Sequence, residues 1–135
     1  MIFPPVTELT VLGVAEPGVP NRERIIIRPT EPVNLAQFGI ILGFRNPNGM
    51  VTPWLDNFFW FGEITIEPPS WIVVYTGKGE YQQTIVPASN QIAHSMHWGR
   101  DRTVFDVPNI VPVLFRMDAI LIGNQLRVPT RQLKS

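Results

Sequence analysis

Residues 58–79 read FFWFGEITIEPPSWIVVYTGKG, and two patterns inside them decide the fold class. Glu63-Ile64-Thr65-Ile66-Glu67 alternates polar and apolar side chains, the period of a half-buried strand. Pro68-Pro69-Ser70 interrupts that strand, because proline has no amide hydrogen to give a ladder. Residues 71–76, WIVVYT, form an unbroken apolar and β-branched run, as expected of a strand buried on both faces. Gly77-Lys78-Gly79 closes it.

The same punctuation extends in both directions. The chain carries 14 prolines, and its longest proline-free window is 88–107, which suits a strand or hairpin rather than a helical bundle. Short strands separated by Gly/Pro turns point to a sandwich or barrel. Strands are expected over 8–14 (ELTVLGV), 24–28 (RIIIR) and 38–44 (FGIILGF). In the last, Phe38, Ile40, Leu42 and Phe44 share one face, while Gly39, Ile41 and Gly43 share the other. The two glycines there let a backbone or a large ring lie close. Asn46-Pro47-Asn48-Gly49 is a turn, since Asn-Gly tolerates positive φ. Residues 50–57 read as half loop, and the polar stretch 80–90 reads as loop. Residues 91–98 (QIAHSMHW) fit a short helix or a strand, and the all-β context favours strand or irregular chain. Short strands are expected at 103–105, 111–116, 118–123 and 126–128. This gives an arm over 1–7, one domain over 8–128 and a polar tail over 129–135.

Composition removes several function classes. There is no cysteine, so disulfides, thiolate chemistry and cysteine-based zinc sites are excluded. The formal net charge of +0 and the scattered arginines argue against a nucleic-acid partner. The N-terminal MIFPP lacks the basic and apolar regions of a signal peptide, and no apolar run approaches the ~20 residues of a membrane-spanning helix. The expectation is a soluble chain, or a module from a longer one, with no membrane partner and a compartment the sequence does not specify.

The order of segments resembles the lamin-tail domain. Val33-Asn34-Leu35-Ala36-Gln37-Phe38 matches its "valine, polar, leucine, small, any, aromatic" phrase. An aromatic stretch at 58–62 enters a strand, a proline turn follows at 68–69, and the strand at 71–79 ends Thr-Gly-any-Gly. Then come Trp98-Gly99, the pair Val104-Phe105 and a final hairpin over 114–123. The resemblance covers roughly residues 8–128. It implies an immunoglobulin-like antiparallel β-sandwich and a non-enzymatic interaction role.

Four groups of residues are candidate sites. Trp54, Phe58, Phe59, Trp60, Phe61 and Trp71 form an aromatic surplus. In a strand, Phe58 and Trp60 face one way, and Phe59 and Phe61 the other. Exposed, these rings make platforms for peptides, sugars or another subunit; covered by loops or an edge strand, they are extra core. Trp54, Phe58, Trp60 and Trp71 are the candidate binding residues. His94 and His97, spaced by three, fall on opposite sides of a strand, and solvated or backbone-satisfied histidines explain them better than a metal site. Ser95 with Asp101 or Asp118 lacks the Gly-x-Ser-x-Gly elbow of a hydrolase, and Glu63 and Glu67 are ~13 Å apart along a strand, too far for paired acid–base work. Thr76-Gly77-Lys78-Gly79 lacks the spacing of a phosphate loop and reads as a tight turn. The expectation is therefore no catalytic residues, no metal and no cofactor. The expected partner is a protein or a second copy, bound through a sheet edge or aromatic face. The alternative is a carbohydrate held by Trp54, Trp60 and Trp71.

Overall fold

Proline and glycine cut the chain into short β-branched runs, and in the computed structural model those runs pair into three sheets. The structure describes residues 4–126, apart from the side chains of Leu55 and Asp56. The strands are β1 (Leu9–Ala15), β2 (Arg24–Pro29), β3 (Val33–Asn34), β4 (Phe38–Arg45), β5 (Val51–Trp60), β6 (Thr65–Ile66), β7 (Ser70–Tyr75), β8 (Gln82–Val86), β9 (Gln91–His97) and β10 (Ile110–Arg116). One turn of 3-10 helix, Leu35–Gln37, is capped by the Asn34 side chain, which accepts from the Ala36 amide at 2.9 Å. The all-β expectation holds.

Five strands form one sheet in the order β1-β2-β7-β9-β8, three form a second in the order β10-β4-β5, and β3 pairs with β6. Ile25 and Ile27 of β2, Ile72 and Val74 of β7 and Met96 of β9 pack with Phe38, Ile40 and Leu42 of β4 in one cluster. Leu35, Phe61 and Phe105 belong to the same core. Each such side chain contributes about 1.5–3 kcal/mol on full burial.

Several expectations need correction. Residues 50–57 belong to β5, but irregularly: Gly43 pairs with Pro53 and Ile41 with Phe58, so residues 54–57 stand opposite Leu42 alone. The polar stretch 80–90 contains β8, an edge strand exposed on nearly every side chain, which is why its composition reads as loop. Residues 91–98 resolve as strand β9. Residues 103–105 form no strand; Phe105 is buried in the core from a loop. Residues 118–123 pair with nothing, so the hairpin expected over 114–123 does not form. The strand expected over 63–67 shrinks to β6, which has only the two-residue β3 to pair with. Residues 127 and 128 and the tail lie outside the described residues, as do residues 1–3 of the arm.

β7 is not buried on both faces. Ile72 and Val74 are fully buried, but Trp71, Val73 and Tyr75 are only half-buried on the outer side. The pairing is also not uniformly antiparallel, because β7 and β9 run parallel while β8 lies outside β9. Residues 76–81 are therefore a crossover rather than a tight turn, spanning two strand spacings, or about 10 Å. The loop is held by amides of the chain beyond β9, with Gly99 N donating to Gly77 O at 3.0 Å and Arg100 N to Thr76 O at 2.8 Å. Gly79 lies directly on the His97 ring, where an added Cβ would stand 2.5 Å from Nδ1.

Candidate functional site

The two sheets differ in what they show on their outer faces. Strand alternation turns Arg24 and Arg28, Trp71 and Tyr75, Ser95 and His97, and Gln82 and Thr84 outward on the five-stranded sheet. The half-buried Ile26 and Val73 lie among these groups, and the rings of this face are partly covered. Arg28 lies 3.9 Å over the Trp71 ring and Arg24 5.9 Å over Tyr75, while Tyr75 stacks on His97 at 5.2 Å. Gln91 accepts from both Arg28 Nη2 (2.8 Å) and Trp71 Nε1 (2.9 Å).

The outer face of the three-stranded sheet is apolar from edge to edge. Val111, Val113 and Phe115 of β10 flank Gly39, Ile41 and Gly43 of β4, which in turn meet Pro53, Phe58 and Trp60 of β5. The two glycines are the reason these rings pack so low. A Cβ at Gly39 would fall 2.8 Å from Phe115 Cζ, 2.9 Å from the Phe59 carbonyl and 3.1 Å from Phe58 Cε2. A Cβ at Gly43 would collide with the Val51 and Val113 methyls. Phe58 and Phe115 meet as a tilted pair with ring centroids 5.5 Å apart, and the Trp60 indole N–H donates to the Ala36 carbonyl at 2.8 Å, fixing its plane. Phe58 and Trp60 nevertheless remain 49% exposed each. With Ala36, Met117, Ala119 and Ile120 they line an open groove of about 580 Å3.

Phe58 and Trp60 thus share a face, while Phe59 packs on the core and Phe61 is buried within it. Trp54 and Trp71 do not join them. Trp54, thrown out by the irregularity in β5, lines a separate cavity of about 620 Å3 with Asn57 and residues 99–104. Trp71 stands on the other sheet beneath Arg28. His94 and His97 fall on opposite faces of β9 and do not converge. Nor does Ser95 meet either carboxylate: Lys78 holds Asp101 at 2.8 Å and Arg116 holds Asp118 at 2.7 Å. Burial pushes the His94 imidazole below its ordinary value and the Tyr81 phenol above its own. Both neutral forms suit the 2.7 Å hydrogen bond between the Tyr81 hydroxyl and His94 Nδ1.

One buried group escaped attention in the sequence. Glu23 is 1% exposed and its carboxylate accepts from Gly18 N (2.7 Å), Thr76 Oγ1 (2.8 Å), Val104 N (2.7 Å) and Phe105 N (3.0 Å). It ties three loops to the head of β2. The signal was present, since Glu23, Ile25 and Ile27 share one parity and therefore one face.

Comparison with known protein families, with curated proteins and with solved structures finds no match to the chain.

Proposed function

We propose that the chain is a non-enzymatic interaction module, an immunoglobulin-like β-sandwich of the lamin-tail kind. It binds a protein partner, or another copy of itself, through the outer face of the β10-β4-β5 sheet. The observation that carries this reading is the contrast between the two outer faces. A sheet facing water alternates apolar-in with polar-out. On the five-stranded sheet the half-buried Ile26 and Val73 stand among Arg24, Arg28, Ser95, Gln82 and Thr84, whereas the three-stranded sheet sets half-buried Ile41, Val111 and Val113 beside Phe58 and Trp60, each 49% exposed. Contiguous exposed apolar surface of this kind is characteristic of interfaces. β5 is an edge strand of that sheet among the described residues. Trp54, Trp60 and Trp71 stand on three different surfaces, which is why a protein partner is preferred to a glycan platform.

A photo-reactive residue placed at Phe58 tests this in the source cells, with one at Thr84 on the polar face as control. Protein adducts from position 58 and not from 84 are expected. Equal yields from both positions, or none from 58, would refute the reading.

A further inference from the structure

Residues 117–126 carry no strand but include an apolar run. Residues 119–126 read AILIGNQL and carry no charge. Ile120, Leu121, Ile122 and Leu126 are 74%, 98%, 82% and 73% exposed, among the most exposed large apolar side chains described. The Ile-Leu-Ile run has strand propensity and pairs with no strand among the described residues. Its point of departure is fixed. Met117 N donates to the Gln37 carbonyl at 2.6 Å, and Arg116 bridges Glu8 (2.9 Å) and Asp118 (2.7 Å). Ala119 and Ile120 then form one wall of the groove whose other wall is Phe58 and Trp60. The chain runs past that groove without filling it.

We propose that residues 119–126 of one copy lie across the β10-β4-β5 face of a second copy, which returns its own arm to the first. This rests on the reading of that face as an interface and names its occupant. Three features favour a second copy. An uncharged arm meets an apolar face whose groove carries one acidic side chain, Asp118, already paired with Arg116, and the chain's net charge of +0 sets no repulsion between copies. The lengths agree: eight extended residues reach about 26 Å, and β10, which borders the face, runs about 23 Å. The area also decides between one arm and two. At about 100 Å2 of apolar surface per large aliphatic side chain, the four exposed residues offer on the order of 350 Å2 per arm. Two arms and the two surfaces they cover give on the order of 1,400 Å2, within the roughly 1,200–2,000 Å2 of a stable interface. A single arm supplies half of that. Reciprocal exchange also closes the assembly at two copies, because each arm and each face is used once.

Sedimentation velocity over a concentration series tests this on the full chain. The wild type is expected to be a dimer. Leu121→Asp combined with Ile122→Asp should weaken dimerisation ~100-fold or more, with an unchanged melting temperature of the monomer, since both side chains stand in solvent. Trp60→Gln should weaken it as well. Mixing the arm variant with the Trp60→Gln variant should give heterodimers with one working contact, stronger than either variant alone. A dimer that Trp60→Gln disrupts and the arm variant leaves intact would overturn the arm and spare the face. A wild type that stays monomeric at every concentration would overturn self-association, and the position-58 adducts would then belong to a different protein.

Discussion

Replacing Glu23 by glutamine keeps the shape of a buried side chain and changes only what it can accept. One carboxylate oxygen faces two backbone amides, Gly18 N and Phe105 N. The other faces the Thr76 hydroxyl and Val104 N. The glutamine NH2 group therefore turns to the second side, where the Thr76 hydroxyl can rotate and accept. Val104 N–H is left pointing at another donor. An unsatisfied buried amide costs about 1–3 kcal/mol, and losing the charge from the remaining bonds adds about 0.5–1 kcal/mol each. Relief of the buried charge offsets part of this. The expected net loss is about 3 kcal/mol. At about 2.1 cal/mol/K per residue, this chain's unfolding entropy converts that to a fall of ~10 °C in Tm. Differential scanning calorimetry at pH 7 reads it directly, with exposed Glu31→Gln as a control that should shift by less than ~2 °C. A Glu23→Gln Tm within ~2 °C of wild type would show that the four donors do not depend on the charge, and the account of this cluster would fail.

Two further outcomes follow from particular contacts. Gly39→Ala places a methyl against the Phe59 carbonyl as well as the Phe115 and Phe58 rings, and a carbonyl in a ladder cannot move aside. A loss of about 2–3 kcal/mol is expected in urea unfolding, and a wild-type midpoint would mean the rings pack elsewhere. The His94 value is lower in the folded chain than unfolded, so the unfolded state takes the proton first. Stability is full above the ordinary value of 6.5 and declines as pH falls from there toward the folded value. His94→Gln should flatten that slope in Tm between pH 7 and 5.5. Glu8 and Glu16, held low by Arg116 and Arg24, lose their contributions only as pH falls below about 4.5, so they leave the His94 window clear.

The fold class was legible because apolar alternation and proline punctuation are local. β2 and β7 carry their buried residues at period two, β4 buries Phe38, Ile40 and Leu42 on one face with Gly39 and Gly43 buried on the other, and all three stand where the pattern puts them. β8 was not legible, because an edge strand exposed on both faces keeps Gln82, Gln83 and Thr84, which look like loop. Phe105 misled in the opposite direction: its burial is real, but it comes from a loop held by Glu23. The pair Phe58 and Trp60 was placed correctly on one face by alternation alone. That Trp54 would be parted from them was invisible, since the irregularity opposite Leu42 exists only once β4 and β5 pair. The apolar character of the whole outer face was also hidden, because it is assembled from three strands far apart in sequence.

The loop that hops over His97 sets an order on assembly. β8 leaves the ribosome before β9, yet among the described strands β9 is the only neighbour it has. A chain ending short of Gln91 therefore holds a bare β7 flank and a β8 with nothing to lean on. The sheet cannot grow strand by strand in the order of synthesis. β8 can join only with or after β9, and the chain that crosses to it passes His97 at a glycine, Gly79, where a Cβ would stand 2.5 Å from the ring.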